Sequence, residues 1–267
     1  MTADWTASIR AAYDASAATW AEGAAGIYDR LSEVLVAAGP DPWEGARVLD
    51  LGAGTGCASR AVAALGATPI AVDLAPDMLG HHQRSRPPAV AGDALALPFR
   101  TGAFDAVVAA FSISHVTDPV RALAEAARVT RPQGVVLAAV FSARSGHPVK
   151  ERVEAVAAGF GWRRPEWYER FKTDVEPLTA QPEALAATAQ GVGLTEVQVW
   201  EQEVDLGPQR ADELVAWRLS VPSVAPFVTS LPAADRRSLT TAARAALDPC
   251  PQSLRLLVLI LFSRVPA

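Results

Sequence analysis

Cysteine is nearly absent from the chain. Its 267 residues include only Cys57 and Cys250, separated by most of the sequence. Neither a disulfide framework nor a C-x-x-C metal spacing can be built from two such residues, so a reduced, cytosolic protein is expected. The four histidines form no H-x-x-x-H pair and no carboxylate-histidine cluster, so no metal site is expected. Long apolar runs are missing as well. The longest, Leu256 to Phe262, is far below the roughly 20 residues of a membrane span and is flanked by Arg255 and Arg264. It reads as a buried strand, and no membrane association is expected. Basic charge is also scarce: 24 Lys and Arg against 29 Asp and Glu leave a net charge of −5. Phosphate neutralisation needs clustered cations, and Arg163 with Arg164 is a short cluster, so nucleic acid is not an expected partner. The opening MTADWTASIRAAYD has neither the basic region nor the apolar region of a signal peptide.

Hydrophobic residues make up 50% of the chain, enough at this length for one well-packed core that buries roughly three quarters of the unfolded surface. One elaborated domain, residues 1–267, is expected. Up to Gly39 the sequence is Ala-rich, with Ile27, Leu31, Val34 and Leu35 at helical spacing, and Gly39-Pro40 ends the pattern; residues 1–40 read as a helical lid. From Ala46 short apolar runs alternate with helical stretches, which predicts β-α units feeding a mostly parallel sheet. The expected strands are Arg47–Leu51, Pro69–Asp73, Ala89–Gly92, Phe104–Phe111, Val135–Phe141, Glu196–Asp205 and Leu256–Arg264. Crossover helices are expected at Cys57–Leu65 before Gly66, at Asp77–Gln83 after Pro76, and at Pro119–Val129 behind the N-cap Asp118. The stretches 142–180 and 207–251 do not fit the alternation and read as helical cap insertions.

The most specific local signal is Asp50-Leu51-Gly52-Ala53-Gly54-Thr55-Gly56, an apolar strand that ends in an acid and turns on alternating glycines. Glycine tolerates positive φ and leaves the backbone open to close approach by a ligand. Position 57 is cysteine where a dinucleotide fingerprint needs its third glycine, which disfavours a pyrophosphate ligand and a nicotinamide oxidoreductase. Asp73 closes the second strand at the distance from which a carboxylate accepts hydrogen bonds from ribose hydroxyls. Further along come Gly92-Asp93-Ala94-Leu95, Phe104-Asp105-Ala106-Val107-Val108 and Arg131-Pro132-Gln133-Gly134.

With these motifs in order, the stretch from about Arg47 to Phe141 resembles the class I S-adenosylmethionine-dependent methyltransferases, in particular the quinone and small-molecule branch. The resemblance implies a Rossmann-like α/β fold with a seven-stranded, mostly parallel sheet and helices on both faces. It also implies S-adenosylmethionine as cofactor and a small-molecule methyl acceptor. By the same resemblance Asp50 holds the methionine amino group, Gly52, Ala53, Gly54 and Gly56 line the cofactor, and Asp73 binds the ribose. Asp93 takes the adenine amino group beside Ala94 and Leu95, Leu74 and Met78 flank the ring, and Phe111 and Ser112 face the methionine part. Tyr13 and Trp20 sit where related enzymes fold a helix over the cofactor, although such rings are more often simple packing anchors.

Methyl transfer from a sulfonium is a displacement, so alignment and exclusion of water matter more than a covalent intermediate. His115 follows the fourth strand at its C-terminal end, where open α/β sheets place ligands, and is the candidate general base, with structural hydrogen bonding as the alternative. His147 opens the first insertion, whereas His81 and His82 read as surface residues. Trp162, Trp167 and Tyr168 in the first insertion, and Trp217 with Leu219, Val221, Val224 and Phe227 in the second, are the expected walls of a pocket for an apolar or aromatic acceptor, of natural-product or quinone-like kind. Two readings stay open beside methyl transfer: a cyclisation or rearrangement with the sulfonium as a fixed charge, and a cofactor-binding protein without turnover.

Overall fold

A computed structural model describes residues 5–81, 87–249 and 253–267. Strands β1 (Arg47–Leu51), β2 (Thr68–Asp73), β3 (Ala89–Ala91), β4 (Phe104–Ala110), β5 (Thr130–Phe141), β6 (Thr195–Asp205) and β7 (Arg255–Arg264) form one sheet in the order β3-β2-β1-β4-β5-β7-β6. The first five run parallel, and β7 lies antiparallel between β5 and β6. The chain winds outward from β1 to β3 and then reverses to β4, so the crossovers leave a crevice at the C-terminal ends of β1 and β4.

The apolar runs read as strands because the central ones are buried on both faces. Val135, Leu137 and Ala139 of β5 join the core on one side and Val136, Ala138 and Val140 the core on the other. In chain order the helices are α1 (Trp5–Gly23), α2 (Ala25–Ala37), α3 (Cys57–Ala64), α4 (Pro76–Gly80), α5 (Pro119–Val129), α6 (Pro148–Gly159), α7 (Glu166–Arg170), α8 (Glu176–Thr179), α9 (Pro182–Gly191), α10 (Ala211–Leu219), α11 (Ala225–Ser230) and α12 (Ala233–Ala246). One face of the sheet is covered by α2, α3, α6, α10 and α12, the other by α5 and α9. Asp118 caps α5 by accepting from the Arg121 amide at 2.9 Å, with Pro119 at its first position.

Several boundaries differ from the sequence reading, most by one residue. The N-terminal segment is two helices, broken at the fully buried Ala24. Strand β5 begins at Thr130, five residues early, and a register shift between its Phe104 and Ala106 pairings accommodates Arg131-Pro132-Gln133-Gly134. Gly134 is needed there, because a Cβ would stand 2.6 Å from the Asp105 carbonyl. Helix α4 ends at Gly80, ahead of the expected Gln83, which with His82 and Cys250 lies outside the described residues. Within the first insertion, a π-helical turn at Phe171–Val175 interrupts the path from α7 to α8. Among the described residues no helix is long and apolar enough to cross a membrane.

Candidate active site

The glycine loop joins β1 to α3 across the crevice, with positive φ at Gly52 (69°), Gly54 (53°) and Gly56 (88°). At Gly52 the requirement is doubled, since a Cβ would meet the Cβ of Ser112 at 2.3 Å. Ser112 Oγ donates to the Leu51 carbonyl at 2.5 Å, fastening the end of β4 to the end of β1 beneath the loop. Gly56 is the N-cap of α3. It shapes the turn without lining the cavity above it, where Thr55, Cys57 and Ala58 stand instead.

That cavity contains every other residue expected near the cofactor: Tyr13, Trp20, Asp50, Gly52, Ala53, Gly54, Asp73, Leu74, Met78, Asp93, Ala94, Leu95, Phe111 and Ser112. Two of its acids, buried Asp50 and partly buried Asp73, form no ion pair among the described residues. Asp50 is 1% exposed and accepts from the Ser59 amide and hydroxyl, both on Oδ2. Burial nevertheless pushes its carboxyl up to about 6. Asp73 accepts from the Gly54 amide on Oδ2 and the Ala75 amide on Oδ1, each at 2.8 Å, and burial raises its carboxyl as well. In both, desolvation outweighs the hydrogen bonds, and for Asp50 also the attraction of Arg60. Asp93 turns its loop by accepting from the Leu95 amide. Cys57 is no nucleophile here: burial pushes its thiol up to about 12, so it remains protonated.

His115 ends a short 3-10 turn after β4, and its Nδ1 is hydrogen-bonded to the Tyr13 hydroxyl of α1. Its ring also stacks on Phe171 in the π-helical turn, with centroids 5.3 Å apart. Burial, helped by the nearby charges of Lys172 and Lys150, lowers its pKa to about 4. The Tyr13 phenol is moved the opposite way, well above its ordinary value, by burial. The pair is therefore neutral at physiological pH. Tyr13, His115, Trp20 and Tyr28 line both this cavity and a second one beneath the caps, forming the wall where the two meet.

The second cavity is lined by His147, Trp167, Tyr168 and Trp217, four of the residues expected to wall a pocket. Trp162 is not among them. It is buried in the core, with its Nε1 donating to the Ser223 carbonyl at 2.9 Å, and borders only a separate groove with Phe227. Of the remaining expected roof residues, Val221 lines the second cavity, while Leu219 and Val224 pack in the core. His147 caps α6 by accepting from the Val149 amide on Nδ1. Sequence reasoning missed Tyr28 and the charged wall of Lys150, Glu154, Arg164, Lys172, Glu176 and Arg218. Amphipathic helices carry such charges routinely, so only the tertiary placement distinguishes them. His81, expected at the surface, is partly buried and outside both cavities. Among the described residues no cluster of three or more His, Cys, Asp or Glu is placed to hold a metal ion.

Residues 49–138, from β1 into β5, match the methyltransferase domain family. The demethylmenaquinone methyltransferase of Renibacterium salmoninarum is 46% identical over 100 residues, which is 37% of this chain and 42% of that protein. The chain spans about half the length of the curated relatives it matches. Among solved structures, phosphoethanolamine N-methyltransferase 2 of Haemonchus contortus in complex with S-adenosyl-L-methionine superposes with a TM-score of 0.54 at 19% identity, over 88% of this chain and 52% of that one. The [4+2]-cyclase SpnF superposes with a TM-score of 0.55 at 22% identity, over 90% and 82%. This is the methyltransferase fold. The matched stretch carries the glycine loop, the three acids and His115, whereas the caps that wall the second cavity lie beyond it.

Proposed function

We propose that the protein is an S-adenosylmethionine-dependent methyltransferase acting on a small aromatic, quinone-like or natural-product acceptor. The observation that carries this reading is the pair of carboxylates on the wall of the first cavity, buried Asp50 and partly buried Asp73, both raised by desolvation and neither in an ion pair. Such a wall favours a cationic ligand and disfavours a pyrophosphate. S-adenosylmethionine, bound along the glycine loop, would supply an electrophilic methyl on a sulfonium. Asp50 holds the ammonium end, Asp73 the ribose diol and Asp93 the adenine amino group, with Leu74 and Met78 against the ring. Tyr13, Trp20, Tyr28 and His115 stand where the cavities meet, so they orient the acceptor toward the methyl and exclude water.

With its pKa near 4, His115 is a weak base for a phenol and serves mainly to position Tyr13 and the acceptor. The sparse cysteine and the acidic balance support a cytoplasmic enzyme with no nucleic-acid partner. The superposable cyclase makes rearrangement the second reading, because fold alone does not choose the reaction.

Calorimetry with S-adenosylmethionine, S-adenosylhomocysteine and NAD tests the reading. Both sulfur ligands should bind and NAD should not. Asp50→Asn, which removes charge while keeping shape, should weaken S-adenosylmethionine by roughly 10- to 100-fold, the range for one charged hydrogen bond. Tight NAD binding would overturn the proposal. Labelled-methyl transfer to naphthols and quinols then separates transferase from cyclase.

A further inference from the structure

The second cavity contains four cations, and three of them are already matched. Arg218 donates to Glu154 at 2.9 Å, Arg164 lies 3.5 Å from the same carboxylate, and Lys172 reaches Glu176 at 2.9 Å. Lys150, in the first turn of α6, meets no carboxylate among the described residues; its Nζ is 3.4 Å from the Tyr168 hydroxyl and 5.8 Å from the centre of that ring. Glu151, the remaining acid of the lining, is exposed at the rim. The same wall carries two further donors without an acceptor, Trp217 Nε1 and Arg218 Nε, both buried. No side-chain oxygen of this wall is left unpaired in the same way among the described residues, since the one buried orphan oxygen, Ser32 Oγ, belongs to the first cavity. The unmet demand is for acceptors and for one negative charge. Trp167, Tyr168 and Phe171 supply the aromatic walls beside it.

We propose that the acceptor cavity selects an aromatic monocarboxylate, with Lys150 pairing the carboxylate beside the Tyr168 hydroxyl. The inference rests on the methyltransferase reading for the word acceptor, though the anion site itself does not depend on it. A single unmatched cation suits a monoanion, whereas a phosphate dianion would leave one charge unbalanced in a partly buried wall. Lys150 is a specificity residue: it lies on the acceptor side and is absent from the cofactor cavity.

Three ligands sharing one ring system provide the test: 1-hydroxy-2-naphthoate, 1-naphthol and 1-naphthyl phosphate. Each is titrated by calorimetry into the full chain with and without S-adenosylhomocysteine, in wild type, Lys150→Met and Lys150→Arg. We expect the naphthoate to bind at least tenfold tighter than the naphthol in wild type, with most of that preference lost in Lys150→Met and retained in Lys150→Arg. S-adenosylhomocysteine affinity should be the same in all three proteins. Equal binding of naphthoate and naphthol, a preference that survives Lys150→Met, or tightest binding of the phosphate would each overturn the proposal. Failure of S-adenosylhomocysteine to bind while the naphthoate preference stands would instead overturn the cofactor reading and leave the anion site in place.

Discussion

Two buried groups facing the same cavity respond to acid in opposite senses. His115 has its pKa lowered to about 4 from an ordinary 6.5, so the unfolded chain takes up the proton first, and its contribution to stability is lost as pH falls from 6.5 to 4. Asp50 is raised from 3.8 to about 6, so the folded chain takes up the proton first, and stability is gained as pH falls through the same window. Each contribution is worth up to roughly 3 kcal/mol, at about 1.4 kcal/mol for every tenfold change in proton affinity. Urea unfolding at pH 7, 5.5 and 4 should therefore show the His115→Phe variant gaining on wild type as pH falls, and Asp50→Asn falling behind; parallel curves would mean that neither group is perturbed by burial. At Gly52, alanine must adopt a positive φ and push against Ser112, which together should cost about 2–5 kcal/mol in the same assay. A Gly52→Ala protein as stable as wild type would show that the loop is not built as described. The acids and glycines were legible in the sequence because each sits at a strand end with its own turn chemistry. The pairing of Tyr13 with His115 was not, because it joins positions 102 residues apart that share no local pattern.

At the scale of elements, the strands of the sheet interior were legible because burial on both faces demands continuous apolar runs. The start of β5 was hidden, since Thr130-Arg131-Pro132-Gln133-Gly134 reads as a loop and pairs only through a register shift. The caps were legible as insertions but not in their mode of attachment. Glu154 of α6 is 8% exposed and bonds Arg218 of α10, itself 8% exposed, with Arg164 closing a triad that ties the first insertion to the second. A buried pair resists loss of one partner far more than replacement of both. Glu154→Ala should therefore cost roughly 3–5 kcal/mol, while the double variant Glu154→Leu with Arg218→Met should recover most of that loss. Chemical denaturation of the three proteins checks this, and a double variant as weak as the single one would assign the loss to packing rather than to a stranded charge.

For the whole molecule the question is whether the caps unfold with the sheet. The core on one sheet face draws residues from α2, β1, α3, β4, β5, α6, α10, α12 and β7, including Trp43, Trp162 and Trp217. Releasing either insertion would open that face of the central strands to water, at roughly 25 cal/mol for each Å² of apolar surface. We therefore propose one cooperative unit spanning both insertions, and its unfolding should give coincident thermal transitions by far-UV circular dichroism and by tryptophan fluorescence. S-adenosylhomocysteine at a hundred times its Kd should stabilise the unit by about 2.7 kcal/mol and move both transitions together by roughly 5–10 °C. Because α1 supplies Ile9, Tyr13 and Trp20 to the first cavity, hydrogen exchange in that helix should slow on binding along with the glycine loop. Separate transitions, or a ligand response seen by one probe alone, would show that the caps melt from the sheet independently, and the second cavity would then be a structure that forms only when the caps are docked.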